Sequence, residues 1–197
     1  MPKVLNVGGN NKTIPLPPQY DGWQHVLLDI DPRGSPDVVC DARELSQQPG
    51  LSYDAVYCSH NLEHYYRHDA LKVLAGFAHV LKPDGFAHIR VPDLGELMRT
   101  VVERNLDIDD CLYQSPSGPI TVRDVFYGYG LEIERSGNDF YAHKTGFTRT
   151  SLTAFLKSAG FPWVFTVTGN LEVRAIACLN KPSEQLRGLF NLASPEQ

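Results

Sequence analysis

The chain has 197 residues, of which 42% are hydrophobic and 21% are charged, and its formal net charge is −5. This length is enough for one domain with a substantial core, and the composition of an ordinary globular protein excludes a wholly disordered chain. A negative charge without a run of lysines and arginines gives no reason to expect a nucleic-acid partner, and no stretch approaches the roughly 20 apolar residues that a membrane span requires.

Five short apolar runs in the first half of the chain are typical of strands buried on both faces of a parallel sheet. They are rich in β-branched residues and leucine, and turn-forming residues bound them. Between the fourth and fifth runs, residues 69–82 carry apolar side chains at spacings of three and four, which predicts a helix that ends in a Lys-Pro-Asp-Gly turn. The five runs are residues 3–7, 25–30, 38–40, 55–58 and 86–91.

The second half of the chain predicts two further helices and a hairpin. One helix covers residues 94–104, and Thr148 caps the other at its beginning. Residues 163–168 and 172–179 then have the pattern of strands, and the Gly-Asn pair between them is typical of a hairpin turn. Together the elements predict an α/β fold whose mostly parallel seven-stranded sheet has an antiparallel C-terminal edge strand.

Two connections leave part of the predicted sheet with little cover. Three prolines in residues 10–24 disfavour a helix after the first strand, and residues 31–36 are too few to form one after the second. The surface beside these strands is therefore either an open cleft or a contact with another subunit in a homo-oligomer.

Residues 107–147 form an irregular, aromatic-rich insert in what we expect to be a single domain of residues 1–197. A stretch of this length without regular structure is uncommon unless it has a function, so a lid that faces the substrate is one interpretation. The other is a packed surface excursion braced by half-buried tyrosines, among them Tyr127, Tyr129 and Tyr141.

Cysteine usage and the first residues indicate the compartment. Cys40, Cys58, Cys111 and Cys178 show no Cys-x-x-Cys spacing, and three of them lie in apolar strand-like runs. We therefore expect reduced thiols, no disulfide and no metal site. The segment Met-Pro-Lys-Val-Leu enters the first strand directly, which predicts no signal peptide and a cytoplasmic protein.

The first two predicted strands end on residues suited to a nucleotide-like ligand. Gly8, Gly9 and Asn10 follow the first strand, and glycine lets a ligand approach the backbone closely. Asp29 ends the second strand roughly 20 residues after Gly8, the spacing at which an acid meets ribose hydroxyls in nucleotide-binding sheets. A carboxylate there can accept two hydrogen bonds from a diol.

The third and fourth strands end in a similar way, on Asp41-Ala42 and Ser59-His60. Each signal alone has a simpler explanation, because an acid can cap a helix, a serine can begin a loop and a glycine pair can form a turn. Ligands of open α/β sheets bind beyond the carboxyl ends of the strands, so the four strand ends together favour a ligand site there.

Longer motifs run through these strand ends and cover most of residues 3–161. They are VLNVGGNN, HVLLDIDP, DVVCDARELS, YDAVYCSHNLEHY, VLKPDGFAHIRVPDL and HKTGFTRTSLTAFLKSAGF. In these motifs the sequence resembles the class I S-adenosylmethionine-dependent methyltransferases, and most closely the small methyltransferase type 11-like branch that is often associated with sugars and polysaccharides. The resemblance implies a Rossmann-like fold, S-adenosyl-L-methionine as cofactor and a small-molecule acceptor such as a sugar or polysaccharide precursor hydroxyl.

The resemblance also assigns the strand-end residues to parts of the cofactor. They are Gly8 and Gly9 under the methionine part, Asp29 on the ribose hydroxyls, Ile30 beside the adenine, Asp41 and the Ala42 amide near the adenine amino group, and Ser59 close to the sulfonium. Asn10 and His60 complete the expected cofactor-binding set. The loop departs from the family pattern, because Asn6 stands in place of the usual acid and the third glycine is absent.

The candidates for a base are His60, His64, His143 and Asp93, and we select His143, His64 and Asp93 as the candidate catalytic residues. Methyl transfer from a sulfonium is an in-line displacement, and an oxygen or nitrogen acceptor can also need a base, for which histidine is suited near neutral pH. His143, in the insert, is our preferred base. His64 belongs to a Leu-Glu-His turn that we expect mainly to orient the site, and Asp93 either orients an acceptor hydroxyl or caps the next helix.

Two functions from other classes compete with methyl transfer. An NAD-dependent oxidoreductase would need a Gly-x-Gly-x-x-Gly loop and a helix N-terminus for the pyrophosphate, and the proline-rich residues 10–24 provide neither. A non-catalytic, methyltransferase-like binding or regulatory module is motivated by the altered glycine loop. Failure to bind S-adenosylmethionine would favour that module over an enzyme.

Overall fold

A computed structural model describes residues 1–115 and 118–192 of the chain. Seven strands within this part form one sheet, and two shorter strands form a separate antiparallel pair. The large sheet contains β1 Lys3–Val7, β2 Gln24–Asp29, β3 Val38–Val39, β4 Tyr53–Ser59, β5 Leu81–Pro92, β8 Trp163–Gly169 and β9 Glu172–Cys178, and the pair consists of β6 Cys111–Ser115 and β7 Gly118–Thr121.

The order of the large sheet is β3-β2-β1-β4-β5-β9-β8. Strands β1 to β5 pair in parallel, and β9 runs antiparallel to both β5 and β8. This confirms the predicted mostly parallel seven-stranded sheet with an antiparallel strand at its C-terminal end. In this order the antiparallel strand β9 lies one position inside the edge. It is therefore almost entirely buried, whereas the edge strand β8 is partly exposed along its length.

The predicted hairpin is present, with its turn one residue later than expected. Gly169 still pairs with Glu172, and Asn170 and Leu171 form the turn with φ angles of 56° and 61°. Two turn residues with positive φ match the right-handed twist of the flanking strands. The main chain of Leu171 is held by the N–H of Asp93, which donates to its carbonyl oxygen over 2.8 Å.

Helices cover one face of the sheet with the larger part of the core. Leu74, Phe77 and Leu156 are fully buried there, and each such side chain contributes about 1.5–3 kcal/mol to stability through its burial. No helix in the described ranges is long and apolar enough to cross a membrane. The helices are α1 Arg67–Val80, α2 Leu94–Glu103, α3 Val122–Tyr127, α4 Gly130–Ser136, α5 Arg149–Ser158 and α6 Glu184–Phe190.

The opposite face of the sheet carries a thinner layer. Residues 10–24 contain the 3-10 turn Pro18–Tyr20 and no α-helix, as their prolines predict. Trp23 from this segment packs with Phe86 of the sheet, and Phe190 of α6 joins them. Helix α6, which the sequence did not predict, therefore covers part of the surface that the sequence left open.

The predicted Lys-Pro-Asp-Gly turn lies inside β5. Tyr53 of β4 pairs with Leu81 and Ala55 pairs with Phe86, so four residues of β5 stand opposite a single residue of β4. The four residues form a long bulge at the amino end of the strand. The turn was therefore placed correctly along the chain, although strand pairing continues on both sides of it.

The insert of residues 107–147 is more regular than its sequence predicted. It contains β6, β7, α3 and α4, and the buried Leu112 and Val125 pack with Leu97 of α2 in a second small core. Helix α3 begins with a capping box, in which Thr121 and Asp124 accept hydrogen bonds from each other's main-chain N–H groups. The Thr-x-x-Asp capping signal is therefore visible in the sequence. The packing of the insert against α2 cannot be predicted from such a local pattern.

The N-terminus of α5 offers a direct test of the fold. The Thr148 hydroxyl accepts from the Ser151 N–H over 3.2 Å, and the Ser151 hydroxyl accepts from the Thr148 N–H over 2.8 Å. We expect Thr148→Ala to lower the free energy of unfolding by about 1 kcal/mol in urea titrations, because it removes a helix cap.

Thr153→Ala in the same helix is the matched control. Its hydroxyl bonds back to the carbonyl oxygen of Arg149, an interaction that does not support a helix, so this variant should leave stability unchanged or slightly higher. Equal losses in both variants would contradict the capping role.

Candidate functional site

A cavity of about 450 Å³ lies beyond the carboxyl ends of β1, β2, β3 and β4, and we call it the strand-end cavity. Strand ends supply one part of its wall and the insert supplies another. The strand-end residues that line it are Gly8, Asn10, Asp29, Ile30, Asp31, Asp41 and His60, and those from the insert are Asp139, Phe140, Tyr141 and Lys144. This is the position at which an open α/β sheet binds its ligand.

Two asparagines explain why both glycines are needed in the loop after β1. A Cβ atom on Gly8, which has φ of 71°, would lie 2.1 Å from the Asn61 side chain. A Cβ atom on Gly9 would lie 2.1 Å from the Asn6 side chain. Asn6 is buried and its Nδ2 lies 3.2 Å from Nε2 of His25, so the residue that replaces the family's acid packs the loop from inside.

Asp29 presents a fixed carboxylate to the strand-end cavity. Its Oδ2 accepts from the Asn10 N–H and its Oδ1 accepts from the Asp31 N–H, each over 2.9 Å. Each oxygen retains acceptor capacity, so the carboxylate is oriented and can still accept hydrogen bonds from a ligand diol. Ile30, which is 41% exposed, places an apolar side chain beside it.

Asp41 is engaged differently. Its carboxylate caps the 3-10 turn Ala42–Gln47 by accepting from the Arg43 N–H over 2.9 Å, and it pairs with the Arg43 guanidinium. Burial alone would raise the pKa of Asp41, but the hydrogen bonds from Arg43 outweigh it and lower that pKa. Asp41 therefore reaches the cavity already neutralised by Arg43, a lining residue that the sequence analysis did not single out.

Only some of the predicted cofactor-binding residues line the strand-end cavity. Six of the nine residues line the strand-end cavity, and the other three, Gly9, Ala42 and Ser59, are not among its lining residues. The sequence missed the insert residues Asp139, Phe140 and Lys144, because only tertiary packing brings the 3-10 turn Asp139–Tyr141 over the strand ends. Tyr141, named as a wall residue, does line this cavity.

A second cavity of about 750 Å³ lies between the sheet, α2 and the insert, and we call it the insert cavity. Both cavities share His60, so they meet at this residue. The wall of the insert cavity mixes polar and apolar side chains from six helices and strands. The polar ones include Glu96, Thr100, Arg104, Tyr113, Tyr129 and His143, and the apolar ones include Leu112, Ile120, Val125 and Leu171.

His60 lies between two carboxylates at this junction. Its Nε2 lies 2.9 Å from Oε1 of Glu172, and its Nδ1 lies 3.5 Å from Oε1 of Glu63. Desolvation would lower the pKa of His60, but the interactions with Glu172 and Glu63 outweigh it and raise that pKa to about 9. Arg90 donates to the same Glu172 carboxylate through Nε and Nη2 over 3.0 Å. A protonated His60 can donate a proton or a hydrogen bond near neutral pH but cannot act as a base there.

The two other histidines have different hydrogen-bonding states. His64 has Nδ1 3.1 Å from the Ala142 carbonyl oxygen and Nε2 3.1 Å from the His60 carbonyl oxygen, so its ring is held on both sides. Nδ1 of His143 lies 2.9 Å from the Val125 carbonyl oxygen and must donate to it. This leaves a lone pair on Nε2 of His143, whose pKa is lowered by burial.

Asp93, the third candidate, caps α2. Its Oδ1 accepts from the Gly95 N–H over 2.9 Å and from the Glu96 N–H over 3.3 Å. It is buried and does not belong to the lining of either cavity. Of the two roles considered for Asp93, the structure therefore supplies contacts for capping.

The charge at the junction can be measured directly. We expect NMR titration to give His60 a pKa of about 9, so that it loses its proton only as the pH rises through that value. Glu172→Gln should lower this pKa, because it replaces the strongest carboxylate partner by a neutral amide.

Glu103→Gln, which removes the same charge at the exposed end of α2, is the control and should leave the His60 titration unchanged. A His60 titration that is the same in Glu172→Gln and in the unaltered chain would show that the pair does not set this pKa.

Residues 10–89 match the family model described as a methyltransferase domain. A SAM-dependent methyltransferase from Archaeoglobus fulgidus is 18% identical over 89% of this chain and 85% of its own, with a TM-score of 0.54. The PH0226 protein from Pyrococcus horikoshii OT3 is 17% identical over 89% and 81%, with a TM-score of 0.57. A SAM-dependent methyltransferase from Thermotoga maritima, described as a possible histamine N-methyltransferase, is 13% identical over 91% and 83%, with a TM-score of 0.55.

At these identities the solved structures establish the fold, and the matched residues 10–89 are similar to a methyltransferase domain. No curated protein matches the chain. The matched domain covers β2, β3, β4, α1 and most of β5, which include three of the strand ends that line the strand-end cavity. Through the matched residues 10–89, its sheet order and the strand-end cavity, the chain is similar to the class I S-adenosylmethionine-dependent methyltransferases.

Proposed function

We propose that the chain transfers the methyl group of S-adenosylmethionine to a hydroxyl of a small molecule, with the donor in the strand-end cavity and the acceptor in the insert cavity. The observation that carries this proposal is the meeting of the two cavities at His60. Bound S-adenosylmethionine supplies an electrophilic methyl group, which an aligned acceptor oxygen can displace in line. The chain's main task is therefore to hold both partners in that alignment.

The donor side fits the predicted cofactor in two respects. The Asp29 carboxylate is fixed by two main-chain N–H groups and can accept from ribose hydroxyls, while Ile30 offers an apolar surface for an adenine ring. His60 adds positive charge at the junction, which the carboxylate of Glu172 compensates. We propose that Gly8 and Asn10 hold the methionine part, with Gly9 supporting the loop.

The insert cavity supports a sugar-like acceptor. Hydroxyl, carboxylate and guanidinium groups of Thr100, Glu96 and Arg104 alternate there with the apolar side chains of Leu112 and other residues. Sites of this kind surround a small molecule with apolar surface and orient it by a few polar contacts. We therefore retain a sugar or a polysaccharide precursor as the proposed acceptor class.

We propose His143 as the base that takes the acceptor's proton in the metal-free chain. Because its Nδ1 donates to the Val125 carbonyl, the lone pair of Nε2 is available, and His143 lines the insert cavity. His64, held between two carbonyl oxygens, positions the turn beside His143, and their ring centres are 5.0 Å apart.

Other expectations from the sequence stay proposals. The four cysteines are free thiols, which supports a cytoplasmic location. We also retain a single functional domain without a nucleic-acid partner, and a homo-oligomer as one way to cover the thin face of the sheet.

Calorimetry tests the donor site. We expect S-adenosylmethionine and S-adenosylhomocysteine to bind, and Asp29→Ala to weaken both by about 10–100-fold through loss of hydrogen bonds to a charged group. Asp84→Ala, which removes an exposed acid in the β5 bulge at the other end of the sheet, should bind like the unaltered chain.

Unchanged affinity in Asp29→Ala would refute this placement of the donor. Absence of binding to the unaltered chain would instead favour a non-catalytic module, a function that the neutralised Asp41 and the altered glycine loop also fit.

Transfer of a labelled methyl group to sugar hydroxyls in metal-free buffer tests the role of His143. We expect His143→Ala to lower kcat/KM by about 100–10,000-fold, the usual contribution of a general base. Since burial lowers the pKa of His143, activity should rise with pH through a value below 6.5 and lose this dependence in the variant.

His79→Ala, at the exposed end of α1, is the matched control and should keep the activity of the unaltered chain. An unaltered rate and pH profile in His143→Ala would exclude it as the base.

A further inference from the structure

Glu63 is a buried carboxylate without a hydrogen bond in the part of the chain that the structure describes. Its side chain is 1% exposed, and neither Oε1 nor Oε2 has a hydrogen-bond partner there. Buried polar groups are nearly always hydrogen-bonded, so an unpaired carboxylate at a functional site points to a missing partner such as an ion. No sequence pattern singled out this carboxylate, because Glu63 belongs to a Leu-Glu-His turn.

Two imidazoles stand beside this carboxylate. One ligand atom each from Glu63, His64 and His143 can be chosen such that all three lie within 4.8 Å of one another. Glu63 and His64 belong to the 3-10 turn Leu62–His64 after β4, and the Lys144 N–H donates to the Glu63 carbonyl oxygen over 2.8 Å. This main-chain bond ties the insert, and His143 with it, to the turn.

The orientation of His143 is that of a metal ligand. Metal-binding histidines commonly donate the other ring N–H to a main-chain carbonyl, as Nδ1 of His143 does to Val125. Nε2 is then free to donate its lone pair. His64 has carbonyl oxygens at both nitrogens, so in binding an ion it would keep one of these contacts and exchange the other.

His60 does not provide the missing partner. Its Nδ1 is 3.5 Å from Oε1 of Glu63, which balances charge but is long for a hydrogen bond to a carboxylate. Its Nε2 is already engaged with Glu172. Oε2 of Glu63 still has no hydrogen-bond partner in the described residues after this contact is counted.

We propose that Glu63, His64 and His143 bind a divalent first-row metal ion, such as Zn²⁺ or Mn²⁺, between the two cavities, because His64 lines the strand-end cavity and His143 lines the insert cavity. Two imidazoles and one carboxylate suit these ions, and three protein ligands leave positions open for an acceptor oxygen. An acceptor hydroxyl bound there would lose its proton more readily, because the ion stabilises the alkoxide. The lone pair of His143 serves either the ion or a proton, so His143 is a base only in the metal-free chain.

Metal binding by the complete chain tests the site without any methyl acceptor. After removal of metals, titration with ZnCl2 or MnCl2 by calorimetry should show one equivalent bound by the unaltered chain. We expect Glu63→Gln and His143→Ala each to weaken this binding by at least 100-fold. His79→Ala, which removes an exposed imidazole outside the cluster, should keep it.

The same samples should be tested for S-adenosylmethionine binding, which shows that the fold is intact. If Glu63→Gln no longer binds S-adenosylmethionine, its metal binding cannot be interpreted. The metal binding of His143→Ala, whose substitution lies in the insert, then decides the result. No binding of either ion by the unaltered chain, or undiminished binding by a folded variant, overturns the proposal.

Only the role of the ion in catalysis rests on the proposed function. Methyl transfer that is slower with a chelator and regains its rate with the ion, at constant affinity for S-adenosylmethionine, would support this role. Metal binding without any methyl transfer would leave the site standing and count against the proposed reaction. Methyl transfer that proceeds at the same rate with chelator would overturn the catalytic role.

Discussion

The ion pairs of Glu172 with His60 and Arg90 hold together the region on which the rest of the site depends. His60 follows β4, Arg90 lies on β5 and Glu172 begins β9, so one carboxylate joins three neighbouring strands. The antiparallel strand is essential here, because only its reversed direction brings the beginning of β9 to the edge at which the parallel strands end. Both cavities meet at this point.

Charge is concentrated at this junction and is largely compensated within it. Glu172 and Glu63 face His60, while Arg90 adds a second cation to Glu172. Desolvation would raise the pKa of Glu172, but His60 and Arg90 keep it low. Ionised side chains with fixed partners form a polar site that need not reorganise during the proposed reaction. Glu63 stands apart because its oxygens remain without hydrogen bonds in the described chain.

The sequence predicted those parts of the site that follow directly from strands. Asp29 and His60 could be placed because parallel strands end at one edge, and the cap of α5 by Thr148 followed from local chemistry. The position of Asp139 and Tyr141 over the same edge could not be predicted, since it depends on packing between the insert and α2. The Glu63 cluster was missed for the same reason.

Helix α6 and the small sheet of β6 and β7 show the same limit. Each is short and lacks a long apolar period, and each is stabilised mainly by contact with a distant part of the chain. The family resemblance assigned nine strand-end residues to the cofactor, and of these Gly9, Ala42 and Ser59 do not line the cavity. A resemblance places residues along the chain, whereas side-chain direction is set by packing.

A crystal structure of the chain with S-adenosylhomocysteine tests the central claim most directly, namely that donor and acceptor sites are the two cavities that meet at His60. We predict that the ligand lies in the strand-end cavity, with its ribose hydroxyls on the Asp29 carboxylate and its sulfur directed toward His60. A ligand in the insert cavity, or one whose ribose makes no contact with Asp29, would contradict the account.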